Sequence, residues 1–230
     1  MSLTTSTIES AVGDILKAVG AWRTGHFLLT SGLHSDQYMQ CQRVMQYPRF
    51  GNLLADLLVE KLLENDVRPD VIVGPALGAV HWEVFVASAL ERKAQKNLND
   101  YFLSADSISK SVLEQKHIDS MVKAVFAERA AGSDDFSIRR GIDLAEGTKV
   151  FVVEDVTTTG GSARKVVELL KSLGTTPVGV GAIVDRSGGQ ATFDVPFFSL
   201  LKLNLATYRP DDCPLCKSGS APEKPGSSKK

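Results

Sequence analysis

The chain has 230 residues, 43% of them hydrophobic and 23% charged, with 26 Lys and Arg against 27 Asp and Glu for a net charge of −1. That length and apolar content suffice to bury a full core as one domain with small appendages. The near-zero charge leaves no basic footprint for nucleic acid, and no apolar run approaches the roughly 18 residues needed to cross a bilayer. Residues Met1 to Thr7 lack the basic and apolar regions of a signal peptide, and three cysteines fit a reducing compartment, so a cytosolic location is expected.

The first predicted element is an amphipathic helix, with Ile8, Val12, Ile15, Leu16 and Val19 on one stripe and Gly20 at its end. Gly25 to Cys41 reads as two extended pieces about a turn containing Ser31 and Gly32, a hairpin on which His26 and His34 are expected to be solvated. A packing helix follows, its stripe formed by Leu54, Leu57, Leu58 and Leu62. Pro69 to Val73 is an apolar strand suited to burial on both faces of a parallel sheet, followed by the loop Gly74-Pro75-Ala76-Leu77-Gly78 and a helix through Val84, Val86, Ala87 and Leu90.

The next strand, Lys123 to Ala127, comes late, so residues 93–122 form a helical insertion. It reads as a surface elaboration, with a lid or a dimer contact as the other possibility. Small and polar residues from Ala130 to Asp135 then separate two short strands and read as a mobile loop, flanked by Arg129 on one side and by Arg139 and Arg140 on the other. Thr176 to Asp185 is a further strand, ending in Asp185-Arg186, and Phe197 to Leu201 closes the sheet. Cys213-Pro214-Leu215-Cys216 supplies two ligands where structural zinc needs four, so no protein metal site is expected. Residues 217–230, rich in Gly, Ser, Pro and Lys, are expected to be a disordered tail beyond a single domain over residues 1–216.

The stretch that carries chemistry is Val150 to Ser162. An apolar strand stops at Glu154 and Asp155, passes through Val156, Thr157, Thr158, Thr159, Gly160, Gly161 and Ser162, and acquires helical periodicity through Val166, Val167, Leu169 and Leu170. The first turn of a helix leaves amides unpaired and carries partial positive charge, so a phosphate fits there. Two glycines let the backbone close around the anion, and the hydroxyls add donors. Glu154 and Asp155 are acceptors that repel phosphate and bind sugar hydroxyls. A pocket with both halves describes a ribose 5-phosphate.

These residues resemble the PRPP-binding signature of type I phosphoribosyltransferases. Phe27-Leu28-Leu29-Thr30-Ser31-Gly32-Leu33-His34-Ser35-Asp36-Gln37-Tyr38 is similar to the segment that forms a hood over the base in orotate phosphoribosyltransferases, and Pro210 to Cys216 is similar to a tail in their bacterial branch. The resemblance implies an α/β fold with a central, mostly parallel sheet flanked by helices on both faces, residues 1–45 supplying the N-terminal helix and the hood. It implies transfer of the phosphoribosyl group of PRPP to orotate, giving orotidine 5′-monophosphate and pyrophosphate in pyrimidine (UMP) biosynthesis, with Mg²⁺ carried by PRPP.

By the same resemblance Glu154 and Asp155 are catalytic candidates that hold the ribose and the positive centre, Val156 belongs to the same PRPP-binding run, and Thr157, Thr158, Thr159, Gly160, Gly161 and Ser162 hold the 5-phosphate. Pro75, Ala76, Leu77 and Gly78 form the pyrophosphate loop, with Arg129 as a further pyrophosphate contact and catalytic candidate. Thr158, Arg186, Thr30 and Ser31 face orotate. Homodimers are the family's usual state, without nucleic acid or membrane partners. The chain departs from the pattern in having Thr30 where many members have lysine, and no Lys or His in the mobile loop. A purine-type phosphoribosyltransferase and a non-catalytic PRPP or nucleotide sensor remain the alternatives.

Overall fold

The computed structural model describes residues 4–94, 115–129 and 132–225. Among them a six-stranded sheet runs in the order β5-β4-β3-β6-β7-β8, where β3 is Val71–Pro75, β4 Lys123–Arg129, β5 Phe136–Ser137, β6 Lys149–Thr157, β7 Thr176–Asp185 and β8 Phe197–Lys202. Every pairing is parallel except that of β5 with β4. The expected closing strand is therefore the sheet's edge, and the two short strands about the 130–135 segment form its other margin.

Alternation along the strands distributes side chains to two cores. Ile72, Phe151, Val153, Ile183 and Leu200 face a layer of three helices, α1 (Thr5–Ala18), α3 (Pro48–Glu64) and α4 (Val80–Ala94). Val71, Val73, Val150, Val152 and Val180 face the opposite side, where the helix after β6 packs through Ala163, Val166, Val167 and Leu170. Phe151 fits because β7 passes under it as Gly179 and Gly181: a Cβ at either would approach the ring within 2.7 Å. A short helix, α2 (Gln42–Met45), joins the hood to α3.

The hood is the antiparallel pair β1 (Trp22–Leu28) and β2 (His34–Met39), with an irregularity between Thr24 and Phe27. A two-stranded hairpin has unpaired amides and carbonyls along both edges. Here both edges are used by the C-terminal segment. Leu28 N–H donates to Glu223 O at 2.8 Å and Glu223 N–H to His26 O at 2.7 Å, while His34 and Tyr208 exchange backbone hydrogen bonds of 2.8 Å each. Arg23 and Glu223 add an ion pair at 2.8 Å.

Two expectations are corrected by this arrangement. The tail is ordered against the hood through residue 225, because the hairpin edges supply partners that its composition does not reveal; residues 226–230 lie outside the described residues. His26 and His34 are not solvated but 7% and 6% exposed, covered by that same segment. Most of the expected insertion, residues 95–114, lies outside the described residues, and its end is the short helix α5 (Gln115–Asp119). No helix among the described residues is long and apolar enough to cross a membrane.

Candidate active site

The site is built at the carboxyl end of β6, between its parallel neighbours β3 and β7. Strand β6 ends at Thr157, and helix α6 (Gly161–Ser172) begins after Gly160, which sits at the N-cap in the left-handed region with φ 77°. Gly160 contributes no side chain to cap the first turn, and apart from a long 3.4 Å hydrogen bond from Gly161 N–H to Thr159 Oγ1 the opening amides are left to an anion. The position also excludes a side chain on space: a Cβ there would lie 2.9 Å from the Phe193 ring. The predicted strand, hydroxyl-glycine turn and helix are thus present at the expected residues.

Glu154 and Asp155 stand side by side where the sheet is still well covered. Burial, reinforced by the neighbouring Asp155 charge and opposed by Arg129, pushes the Glu154 carboxyl up to about 8. Burial also raises Asp155, while the hydrogen bond from Val156 N–H to its Oδ1 at 2.8 Å pulls the other way. An acid pair whose charge is opposed by its surroundings is suited to a ligand that brings donors and positive charge.

The expected pyrophosphate loop lies directly beside the pair. It leaves β3, and Gly78 passes so close to Asp155 that a Cβ would sit 3.3 Å from Oδ1. The Ala76–Leu77 peptide bond in this loop is cis. Under the loop lies Glu83, 2% exposed, its Oε2 without a partner and its carboxyl pushed up to about 8 by burial against a backbone hydrogen bond at Gly74. No local motif in the sequence marks Glu83. The available signal was an acid on the inward stripe of a helix.

On the other flank, Arg186 N–H donates to Thr157 O at 2.7 Å, which ties the end of β7 to the phosphate turn. Its guanidinium is largely covered, and its Nε has no hydrogen-bond partner; nor has Thr157 Oγ1, on a residue only 2% exposed. Burial lowers the Arg186 pKa, with Cys41 and Tyr38 acting in the opposite direction. Burial likewise raises the Cys41 thiol well above its ordinary value, with Asp155 contributing and Arg186 opposing. Tyr38 on the hood's second strand and Cys41 just beyond it therefore lie within electrostatic reach of Arg186, and Cys41 also of Asp155, which no local pattern announces. Asp185, by contrast, turns away to accept from Ser187 N–H at 2.8 Å and Ser187 Oγ at 2.6 Å.

The remaining expected residues sit at the periphery. Thr30 and Ser31 are exposed in the turn at the hood's tip, and Thr158 is exposed at the turn after β6. Arg129 ends β4 and acts on Glu154, yet its Nη1 is paired with Asp134 Oδ1 at 2.9 Å and its guanidinium lies 4.9 Å from the Phe136 ring centroid. Arg140 pairs with Glu128 at 2.6 Å, and Arg139 Nε donates to Ser137 Oγ at 2.9 Å.

A parallel sheet ending in an acid pair, beside an uncapped glycine turn, defines a phosphoribosyltransferase, and the family model for the phosphoribosyl transferase domain matches residues 42–215. The orotate phosphoribosyltransferase of Thermotoga maritima is 42% identical over 216 residues, covering 94% of this chain and 97% of the relative. That of Caldanaerobacter subterraneus is 39% identical over 221 residues, covering 96% and 98%. The chain belongs to the orotate phosphoribosyltransferase family. Among solved structures, orotate phosphoribosyltransferase from Aeropyrum pernix shares the fold with a TM-score of 0.61 at 24% identity, over 84% of this chain and 93% of that one. Adenine phosphoribosyltransferase from Saccharomyces cerevisiae shares it with a TM-score of 0.56 at 19% identity, over 84% and 99%.

Proposed function

We propose that the chain transfers the 5-phosphoribosyl group of PRPP to orotate, giving orotidine 5′-monophosphate and pyrophosphate on the route to UMP. The observation that carries this reading is the pair of buried, unpartnered donors, Thr157 Oγ1 and Arg186 Nε, on strand ends joined by one backbone hydrogen bond. The first belongs to the residue at which β6 passes into the phosphate turn. The second is a guanidinium, which matches a carboxylate or paired carbonyls bidentately and suits an anionic pyrimidine better than an uncharged purine.

Bond cleavage at the anomeric carbon builds positive charge on the ribose and negative charge on pyrophosphate, so the protein's task is placement and charge compensation. Glu154 and Asp155 accept hydrogen bonds from the ribose hydroxyls and face the developing cation. Residues 157–162 grip the 5-phosphate, and the backbone of Pro75, Ala76, Leu77 and Gly78 receives the pyrophosphate. Arg129 joins that contact by exchanging Asp134 for the ligand. Arg186 and Thr158 orient the base under a hood tipped by Thr30 and Ser31. Mg²⁺ would be carried by the phosphates of PRPP, and the hard carboxylate oxygens of Glu154 and Asp155 beside that site are the protein groups that would help hold it. When bound, the ion supplies positive charge to the leaving pyrophosphate.

The same reading makes the chain one phosphoribosyltransferase domain, closed by the segment that docks on the hood through Glu223, in a cytosolic homodimer. Exposed apolar side chains support a subunit contact: Tyr47 and Leu53 at α3, Val84 on the adjacent α4, and Leu77, 80% exposed, in the loop before it. The test is pyrophosphate release from PRPP and Mg²⁺ with orotate, adenine, guanine or xanthine supplied in turn. Release with orotate alone is expected. Release with a purine alone makes the chain a purine-type enzyme, and ligand binding without release makes it a sensor.

A further inference from the structure

The CxxC segment, two ligands short on sequence grounds, meets the other two on the hood. One ligand atom from each of His26, His34, Cys213 and Cys216 lies within 4.8 Å of every other. His26 Nε2 is 2.9 Å from His34 Nδ1, 3.5 Å from Cys213 Sγ and 3.7 Å from Cys216 Sγ, and Cys216 Sγ is 3.3 Å from His34 Nδ1. Metal–nitrogen bonds of about 2.0 Å and metal–sulfur bonds of about 2.3 Å at tetrahedral angles place ligand atoms roughly 3.3 to 3.8 Å apart. Three of these four distances have that spacing, the two nitrogens are closer at 2.9 Å, and no pair in the cluster is more than 4.8 Å apart.

Hydrogen bonding among the four groups does not account for their convergence. His26 Nδ1 lies 3.0 Å from Ser220 O, which only accepts, so Nδ1 carries the proton and Nε2 of the neutral ring presents a bare lone pair. If His34 is protonated at Nδ1, it occupies that lone pair and both thiols lack a good acceptor in the cluster. If His34 is protonated at Nε2, two lone pairs face each other at 2.9 Å. A doubly protonated His26 would bury a cation in a cluster that contains no acid. A divalent cation bound by two thiolates and two neutral imidazoles resolves each conflict and leaves the buried centre without net charge.

We propose that His26, His34, Cys213 and Cys216 form a structural zinc site that fastens the C-terminal segment across the hood. Two thiolates and two imidazoles make a borderline-soft tetrahedral set, and four protein ligands leave no open position for catalysis. The Nδ1–H of His26 bonded to Ser220 O is the outer contact that orients a ligating ring. Backbone hydrogen bonds flank the site on both sides, Leu28 with Glu223 and His34 with Tyr208. The metal thus holds the root of the turn that carries Thr30 and Ser31. It is separate from the acid pair and from any Mg²⁺ bound there.

The test begins with the full-length chain, purified under reducing conditions without a metal-affinity tag, and its metal content by mass spectrometry. Zinc near one equivalent per chain is expected. Stripping with a strong chelator should lower the melting temperature, and Zn²⁺ but not Mg²⁺ should restore it. Co²⁺ added to the stripped protein should give the visible and thiolate charge-transfer bands of a tetrahedral sulfur-containing site, saturating at one equivalent and abolished by Zn²⁺. Cys216→Ser and His26→Ala should each lose the metal; where such a variant fails to fold, the wild-type metal content and cobalt spectrum decide alone. Zinc far below stoichiometric together with no cobalt spectrum overturns the proposal, as does full zinc retention in a folded Cys213→Ser/Cys216→Ser chain.

Discussion

Binding of PRPP with Mg²⁺ should expel a proton from the acid pair at neutral pH. Burial and the neighbouring Asp155 hold the Glu154 carboxyl up at about 8, so the free protein carries it mostly protonated at pH 7. A ligand that donates ribose hydroxyls and brings positive charge binds the ionised form. At about pH 7 deprotonation costs about 1.4 kcal/mol, one unit below the raised value, or about tenfold in Kd. The sign follows directly: a raised acid pKa disfavours the charged form that the ligand needs, so affinity should strengthen as pH rises and level off above about 8. Because two carboxyls titrate together, the midpoint belongs to the pair.

Calorimetry in buffers of different ionisation enthalpy reads the proton release directly. The phosphates of PRPP also titrate, and Glu154→Gln supplies the control, since it keeps the ligand's protons and removes those of the enzyme. Wild type should release about one proton more per binding event than the variant at about pH 7. Equal release by the two proteins, or an affinity no more pH-dependent in wild type than in Glu154→Gln, would refute the assignment of Glu154 to the ribose.

Glu83 is also held at about 8, above the ordinary 4.5, so its protonated form contributes stability that is complete below about pH 4.5 and lost as pH rises through about 8. Glu83→Gln should flatten that dependence in urea midpoints between about pH 6 and about pH 9, and a slope equal to wild type would show that the carboxyl is not buried as described. Asp155→Asn keeps the shape and an acceptor for Val156 N–H but removes the charge facing the ribose, and should cut kcat by about 10²-fold or more with little change in melting temperature. Pyrophosphate release measures it, and an unchanged kcat would end the assigned role. Gly181→Ala forces a Cβ to within 2.7 Å of the Phe151 ring and should cost about 1–3 kcal/mol in chemical denaturation. A neutral result would mean that the ring yields more readily than a close-packed core permits.

What the sequence discloses follows how far apart the cooperating residues lie. The phosphate turn is legible because one strand, one bend and one helix start deliver every element of it within residues 154–162, and the two-sided burial of β3 is legible from its apolar run. Strand order is not written in any local pattern, so neither is the electrostatic influence of Cys41 and Tyr38 on Arg186. The zinc cluster is the extreme case, since His26 and Cys216 are 190 positions apart. Each half has an ordinary local explanation: a histidine pair on a short hairpin, and a CxxC in a segment of tail-like composition. Such a segment orders only where something offsets its conformational entropy. Here the unpaired edges of the hood take up Tyr208 and Glu223, and that docking sets Cys213 and Cys216 against the two histidines. The ligand set and the order of the tail therefore have one cause, which is why an expectation of disorder for the tail and of solvation for His26 and His34 fail together.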